Sequence, residues 1–199
     1  FSMSGPWPES WLIEKAEEFN INTLEELDKT KWVEILKDNI RVEVEGFINM
    51  YHKAIEIISD TEGLEAYLDT FRGDLECLEN VYESLNYGLS EIYAALNGVV
   101  FTKLKTVRKS AVSDENAQGT VKSIRDTVKK KVKSLIEDSF TFTPEESLQG
   151  IKDVYPYMKE LSRITLDFLD KFNEKKREKN LLDFNDLEHL CLKILIDRD

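Results

Sequence analysis

Residues 32–60 read WVEILKDNIRVEVEGFINMYHKAIEIISD, and in them Ile35, Leu36, Ile40, Val44, Phe47, Ile48, Tyr51, Ile55 and Ile58 recur at spacings of three and four. An α-helix turns once every ~3.6 residues, so this spacing gathers apolar side chains on one stripe and leaves most charges on the other side. Gly46 is the only breaker in the run, and Thr30 is placed to accept hydrogen bonds from N–H groups of the first turn. The stretch predicts one long helix that closes near Ser59-Asp60.

On its C-terminal side, Leu64, Leu68, Phe71, Leu75, Leu78, Val81, Tyr82 and Leu85 form a second stripe. The short Thr61-Glu62-Gly63 link predicts that this stripe folds back on the first as an antiparallel hairpin. Leu89 to Leu96 reads as a shorter helix closed by Asn97-Gly98. The basic stretch that follows Val99-Val100-Phe101 has no clear period, so 102–115 reads as loop. Thr120 to Ile136 then places Val121, Ile124, Val128, Val132 and Leu135 on one face, with Lys122, Arg125, Lys129, Lys130 and Lys133 around the other. Thr143-Pro144-Glu145-Glu146 combines an N-cap, a first-turn proline and a capping-box acid. It opens a helix carrying Leu148, Ile151, Val154, Met158, Leu161, Thr165, Phe168 and Phe172, which Pro156 is expected to bend or restart. Asn180 is a natural stop, and Asp183 can cap a last helix bearing Phe184, Leu187, Leu190, Leu192 and Leu195. Before residue 32, Pro8 can open a helix through Trp11, Leu12, Ala16 and Phe19, and Thr23 and Glu26 have capping-box spacing. No useful length alternates with period two. The fold class is all-α, a multi-helix bundle with long antiparallel amphipathic helices; 199 residues suffice for one core or for two small lobes.

Cys77 and Cys191 stand far apart among helical apolar residues, which argues against a disulfide framework, favours a reducing cytoplasm and reads both as core filler. No signal peptide opens the chain and no eighteen consecutive apolar residues occur, so no membrane span is expected. The first residue is not methionine and the last follow directly on an apolar helical stretch, which points to a segment excised from a longer chain.

Net charge is −12. Lys and Arg against Asp and Glu number 7 to 21 over residues 1–100, 10 to 3 over 101–136, and 10 to 15 over 137–199. One basic segment thus lies inside an acidic chain. Screening confines each charge to roughly 10 Å, so a phosphate backbone would meet the local patch and not the average. The candidates for phosphate contact are Lys103, Lys105, Arg108 and Lys109, helped by Lys129, Lys130 and Lys133; the plainer reading is a solvated face balancing an acidic neighbour. Trp7, Trp11 and Trp32 lie in the acidic half and read as core packing, since stacking platforms need a positive groove beside them.

Eight scattered glycines form neither a Walker A loop nor a dinucleotide fingerprint, so the chain alone is not expected to bind or hydrolyse ATP. Asp114-Glu115-Asn116 follows no apolar strand and reads as solvated loop, not a magnesium site. His52 and His189 lack the paired Glu-x-x-His helices of a di-metal bundle. No catalytic residue, cofactor site or metal site is assigned.

The run Phe172 to Leu190, with Leu182-Asp183-Phe184-Asn185-Asp186-Leu187 at its centre, closely resembles the stretch that helicase/nuclease chains of the AddA/RexA kind carry shortly before their Walker B strand. UvrD-like helicases share its Leu-Asp-Phe-x-Asp-Leu core. Pro8-Glu9-Ser10-Trp11-Leu12 resembles that family's Pro-Glu-x-Trp-Leu, and Val121 to Lys130 resembles its lysine-rich helix after the Phe-x-x-Leu seen at Phe101 to Leu104. The resemblance implies that 1–199 is the helical subdomain inserted into the first RecA-like motor domain of a longer chain. It implies a parent that unwinds and degrades double-strand DNA ends for recombinational repair, with ATP and magnesium as its cofactors. The implied partners are DNA, the rest of the helicase/nuclease chain and a second chain of the AddB/RexB type. In that frame Lys175, Lys176, Arg177, Asp183, Phe184, Asp186 and Leu187 would dock the insertion on the motor. The plain alternative is that Asp183 and Asp186 cap a helix while Phe184 and Leu187 fill a core. A different class of function, a free-standing acidic helical module that binds proteins, also fits the composition.

Overall fold

The computed structural model describes residues 8–108 and 112–196. Its helices are α1 (Pro8–Glu17), α2 (Leu24–Asp28), α3 (Lys31–Asp60), α4 (Leu68–Ser84, after a 3-10 turn at Glu65–Tyr67), α5 (Leu89–Asn97), α6 (Glu115–Ser139), α7 (Pro144–Glu178) and α8 (Phe184–Ile196). Among the described residues there is no strand, and the fold is all-α. The chain divides into two compact units, Thr23–Glu146 and Phe1–Asn22 with Ser147–Asp199.

In the larger unit α3 packs on both α4 and α6. Its buried face is Val33, Ile40, Val44, Phe47, Tyr51, Ala54 and Ile58, which lie within a narrow arc at 100° per residue. Phe71, Leu75, Leu78 and Val81 of α4 and Val121, Val128 and Val132 of α6 complete the core with Ile92 and Leu96 of α5. Burying each such side chain stabilises the fold by about 1.5–3 kcal/mol. The core stripe of α3 is therefore rotated from the expected one: Ile35 is 50% exposed and Trp32 40% exposed, because they fall outside the arc centred on Val44 and Tyr51. Trp11 is half-buried. Trp7 lies outside the described residues.

Helix ends follow local chemistry. Thr30 Oγ1 accepts from the Val33 N–H at 3.4 Å, and Thr23 Oγ1 accepts from Glu26 N–H at 3.2 Å. Gly88 has no side chain to cap α5, and Asp28 does so instead, accepting from the Leu89 N–H at 2.9 Å. Two expectations need correction. Helix α6 starts at Glu115, five residues before Thr120, because the Asp114 carboxylate accepts from Asn116 N–H at 2.8 Å and from Ala117 N–H at 3.3 Å; this acid is an N-cap and not solvated loop. And α7 runs through Pro156 without restarting. Pro156 is exposed, so the hydrogen bond missing at its ring nitrogen faces water and not a core.

The smaller unit is built differently. Its only buried residues among those described are Ala16, Ile21 and Ser162. Tyr155 of α7 donates to Glu17 of α1 at 2.8 Å. The apolar positions of α7 separate into two faces: Leu148, Ile151 and Met158 are partly covered, while Val154, Tyr157, Leu161, Ile164, Phe168 and Phe172 are exposed along an arc about 80° wide, taken at 100° per residue. Helix α8 leaves Phe184 86% exposed and Leu187 48% exposed. The reading of Phe184 and Leu187 as core contacts is thus corrected: no core among the described residues encloses them. Cys77 is half-buried and Cys191 exposed, so Cys191 is not core filler.

Candidate nucleic-acid interface

Three groups of the larger unit assemble the basic surface. Residues 101–108 form an extended strap after α5, and α6 returns beside it. Phe101, Leu104 and Val107, three residues apart, pack against the core. That spacing turns Lys103, Lys105 and Arg108 to solvent. The strap period is three, which neither a helical nor a strand template detects.

Helix α6 buries Gln118, Val121, Arg125, Val128 and Val132. At 100° per residue, Lys122, Lys129 and Lys133 line the edge beside Arg125, the side chain that reaches the strap, and Lys130 stands outside them. Lys131 lies on the opposite edge, 3.9 Å from Glu43 of α3. Lys129, Lys130 and Lys133 are all exposed. Strap and helix edge therefore bring Lys103, Lys105, Arg108, Lys129, Lys130 and Lys133 onto one continuous flank. Lys109 lies outside the described residues.

Carboxylates touch part of this flank. Lys105 sits 3.4 Å from Asp69 and Lys133 3.5 Å from Glu137. Both pairs are well exposed, and exposed pairs of this kind contribute only about 0–1 kcal/mol, so a phosphate can replace the carboxylate. Among the described residues no ion pair involves Lys103, Arg108, Lys129 or Lys130. Lys122 rests 5.9 Å from the centre of the Tyr67 ring.

Arg125 departs furthest from its sequence reading. Residue type assigns it to the solvated basic face, and it is only 9% exposed. Its Nε donates to Asp74 Oδ2 at 2.6 Å, and one terminal nitrogen donates to Asp74 Oδ1 at 3.3 Å and to the Thr102 carbonyl at 2.6 Å. Tyr51 donates to Asp74 Oδ2 at 3.0 Å. Burial works against the guanidinium charge, but the bonds and charge of Asp74 outweigh it and raise the Arg125 pKa. Burial, then the Asp74 charge, hold the Tyr51 hydroxyl protonated far above its usual range. The sequence does carry a signal for this triad: Arg125 is in phase with Val121, Val128 and Val132, and Asp74 with Phe71, Leu75 and Leu78. Two opposite charges on buried stripes predict each other, because neither is tolerated there alone.

The second set of candidates lies in the smaller unit, at the α7–α8 corner. Asn180 takes a left-handed conformation (φ 51°), with its N–H donating to Arg177 and that of Leu181 to Lys176 at 2.9 Å, a complete Schellman ending. Asp183 and Asp186 cap α8 reciprocally, each carboxylate accepting from the other's N–H at 2.9 Å. Lys176 bridges the two, 3.2 Å from Asp183 and 2.5 Å from Asp186, and lies 4.8 Å from the Phe172 ring centre. Its hydrogen bond depresses the Asp186 pKa, and Asp186 raises that of Lys176. An open cleft of about 340 Å³ lies against Phe172, Lys175, Leu181 and Leu182. Lys175 pairs with Glu178 at 2.6 Å, and Arg177 is exposed. In the sequence Lys176 is one basic residue among three; in the structure it is the one that joins the two helices. Among the described residues no three His, Cys, Asp or Glu side chains converge as a metal site would require, and no helix is long and apolar enough to cross a membrane.

No family model matches the chain. Full-length similarity is found instead with proteins named as the A chain of a two-part enzyme, ATP-dependent helicase/nuclease. That of Clostridium botulinum (strain Alaska E43 / Type E3) is 51% identical over 197 residues, 99% of this chain and 16% of the relative. Those of Clostridium beijerinckii and Clostridium perfringens (strain SM101 / Type A) are 48% and 46% identical over 199 residues, 100% of this chain and again 16% of each relative. The chain spans 16% of the length of these curated relatives, and over that span it belongs to the AddA-type family of ATP-dependent helicase/nucleases.

Proposed function

We propose that this chain is a DNA-contacting helical subdomain of an ATP-dependent helicase/nuclease, inserted in the first motor domain of a longer polypeptide. The observation that carries the reading is the continuous flank of Lys103, Lys105, Arg108, Lys129, Lys130 and Lys133, set in a segment of 10 basic and 3 acidic residues within an otherwise acidic chain. Phosphates ask for positive charge and not for a fixed geometry, so such a flank holds a backbone without reading sequence. ATP and magnesium, the chemistry of unwinding and strand cleavage, and a second chain of the AddB/RexB type belong to the longer protein, which would act in the cytoplasm on double-strand ends for recombinational repair. The α7–α8 corner supplies the docking surface toward the motor, through Lys175, Arg177, Asp183, Phe184, Asp186 and Leu187. What supports this is that Phe184 and Leu187 are bare in a chain that otherwise caps α8 correctly.

Fluorescence anisotropy of a labelled duplex with the 199-residue chain tests the DNA contact. Six engaged phosphates give a slope of log K against log salt of at most about −5, from roughly 0.9 per phosphate. The triple change Lys103→Glu, Lys129→Glu and Lys130→Glu is expected to flatten the slope by about three. Affinity that does not respond to salt overturns the reading.

A further inference from the structure

The strap that carries Lys103, Lys105 and Arg108 lacks regular structure of its own. Among the described residues, no backbone-to-backbone hydrogen bond ties 100–108 to the rest of the unit. Its carbonyls are held by side chains of α6 instead. Arg125 donates to the Thr102 carbonyl at 2.6 Å, and Gln118 Nε2 donates to the Val107 carbonyl at 3.2 Å. The two clamps are seven residues apart on the helix, about 10.5 Å at 1.5 Å per residue, and five apart on the strap. Lys103 and Lys105 fall between them, and Arg108 directly follows the second.

Neither clamp is free to wander. Arg125 is fixed by both oxygens of Asp74, itself bonded to Tyr51, and Gln118 also donates to the buried Tyr67 hydroxyl at 3.2 Å. Strap position is thus inherited from the packed faces of α3, α4 and the 3-10 turn. A buried guanidinium is expensive where an apolar side chain would serve, and this one spends its remaining reach on a strap carbonyl. We propose that Arg125 and Gln118 are positioning residues of the basic surface: they hold residues 101–108 in one register, so that Lys103, Lys105 and Arg108 meet successive phosphates together and without ordering the segment at the moment of binding.

This inference rests on the DNA-contact reading for its purpose, but the clamp has its own observable. Trypsin cuts after Lys103, Lys105 and Arg108, and a clamped strap must lift from the core to enter a protease. Arg125→Lys, which keeps the charge, and Gln118→Ala, which orphans no ion, are both expected to speed cleavage at these three sites by about tenfold or more, while cleavage after Lys129 and Lys130 in α6 keeps its rate. Unchanged strap cleavage overturns the clamp. In the binding arm, Lys103→Gln/Lys105→Gln/Arg108→Gln is introduced into the wild-type chain and into each clamp variant. On a labelled duplex at low salt it is expected to weaken binding by about tenfold or more in the wild-type background and less than about threefold in the clamp variants. Equal losses in all backgrounds mean that the clamps support the fold alone, and overturn the proposal. If Arg125→Lys loses its helical circular dichroism, Gln118→Ala decides both arms. If the wild-type chain binds no duplex, the proposed function fails, and the cleavage rates still settle whether the strap is clamped.

Discussion

Removal of the Asp74 carboxylate is the most demanding test of how the larger unit is held together. Asp74→Ala deletes the acceptor of one hydrogen bond from Tyr51 and two from Arg125, and leaves a guanidinium 9% exposed with only the Thr102 carbonyl as partner. Breaking a buried pair on one side costs about 3–5 kcal/mol, because the surviving charge is stranded in a poorly polarisable core. With a urea dependence of roughly 2 kcal/mol per molar, the midpoint should fall by about 1.5–2.5 M. The assay is urea unfolding followed by Trp32 fluorescence in a Trp7→Phe/Trp11→Phe background, so that the larger unit alone is read. Asp74→Leu combined with Arg125→Met and Tyr51→Phe should recover most of the loss, since it removes both the stranded charge and its partners. A single-variant cost below about 1 kcal/mol, or a triple variant less stable than Asp74→Ala, would refute the claim that the pair is electrostatically buried.

Two further outcomes follow from the same packing. Because the Tyr51 pKa is raised in the fold, the unfolded chain ionises first: the contribution is fully present below the unfolded value of about 10 and is lost as pH rises beyond it. Stability should decline above pH ~10 with a share of at most about 1.4 kcal/mol per pH unit from this one proton, and Tyr51→Phe should remove that share from an alkaline series of melts; an unchanged slope refutes it. At Gly88, an added Cβ would lie 2.4 Å from Asp28 Oδ2. The carboxylate can swing away, so the cost is not the clash but the lost cap on Leu89, about 0.5–2 kcal/mol, and Gly88→Ala should lower the melting temperature by several degrees where an intact cap would leave it unchanged.

What the sequence discloses and what it hides have one physical dividing line. Long elements with an unbroken apolar stripe are legible: α3, α4 and α5 lie where the three-and-four spacing puts them, since burial of a stripe is itself the force that selects the helix. The strap is not legible, because an extended segment pinned every third residue by Phe101, Leu104 and Val107 matches no periodic template. Arg125 is misread for a related reason. Residue type outvotes phase in a charge-based reading, although its spacing from Val121, Val128 and Val132 puts it on the buried side.

Helix α7 shows the complementary error, and its cause bears on function. Leu148 through Phe172 reads as one stripe only if positions from two different faces are merged; separated, Leu148, Ile151 and Met158 are partly covered, and Val154, Leu161, Phe168 and Phe172 stand bare. A helix with a second apolar face is written for neighbours on two sides. The same holds for α8, whose first turn is capped by Asp183 and Asp186 while Phe184 and Leu187 meet solvent. Periodicity reports that a face wants burial but carries no information on which part of a protein buries it. In a chain that matches 16% of its relatives' length, those two faces are where the remaining length has reason to pack. The larger unit, by contrast, closes its core and turns only charge outward along the strap and α6. Packing demand and phosphate-binding capacity therefore reside in different units, so substitutions at Phe184 and Leu187 should disturb assembly without touching the salt dependence of DNA binding, and substitutions at Lys129 and Lys130 the reverse.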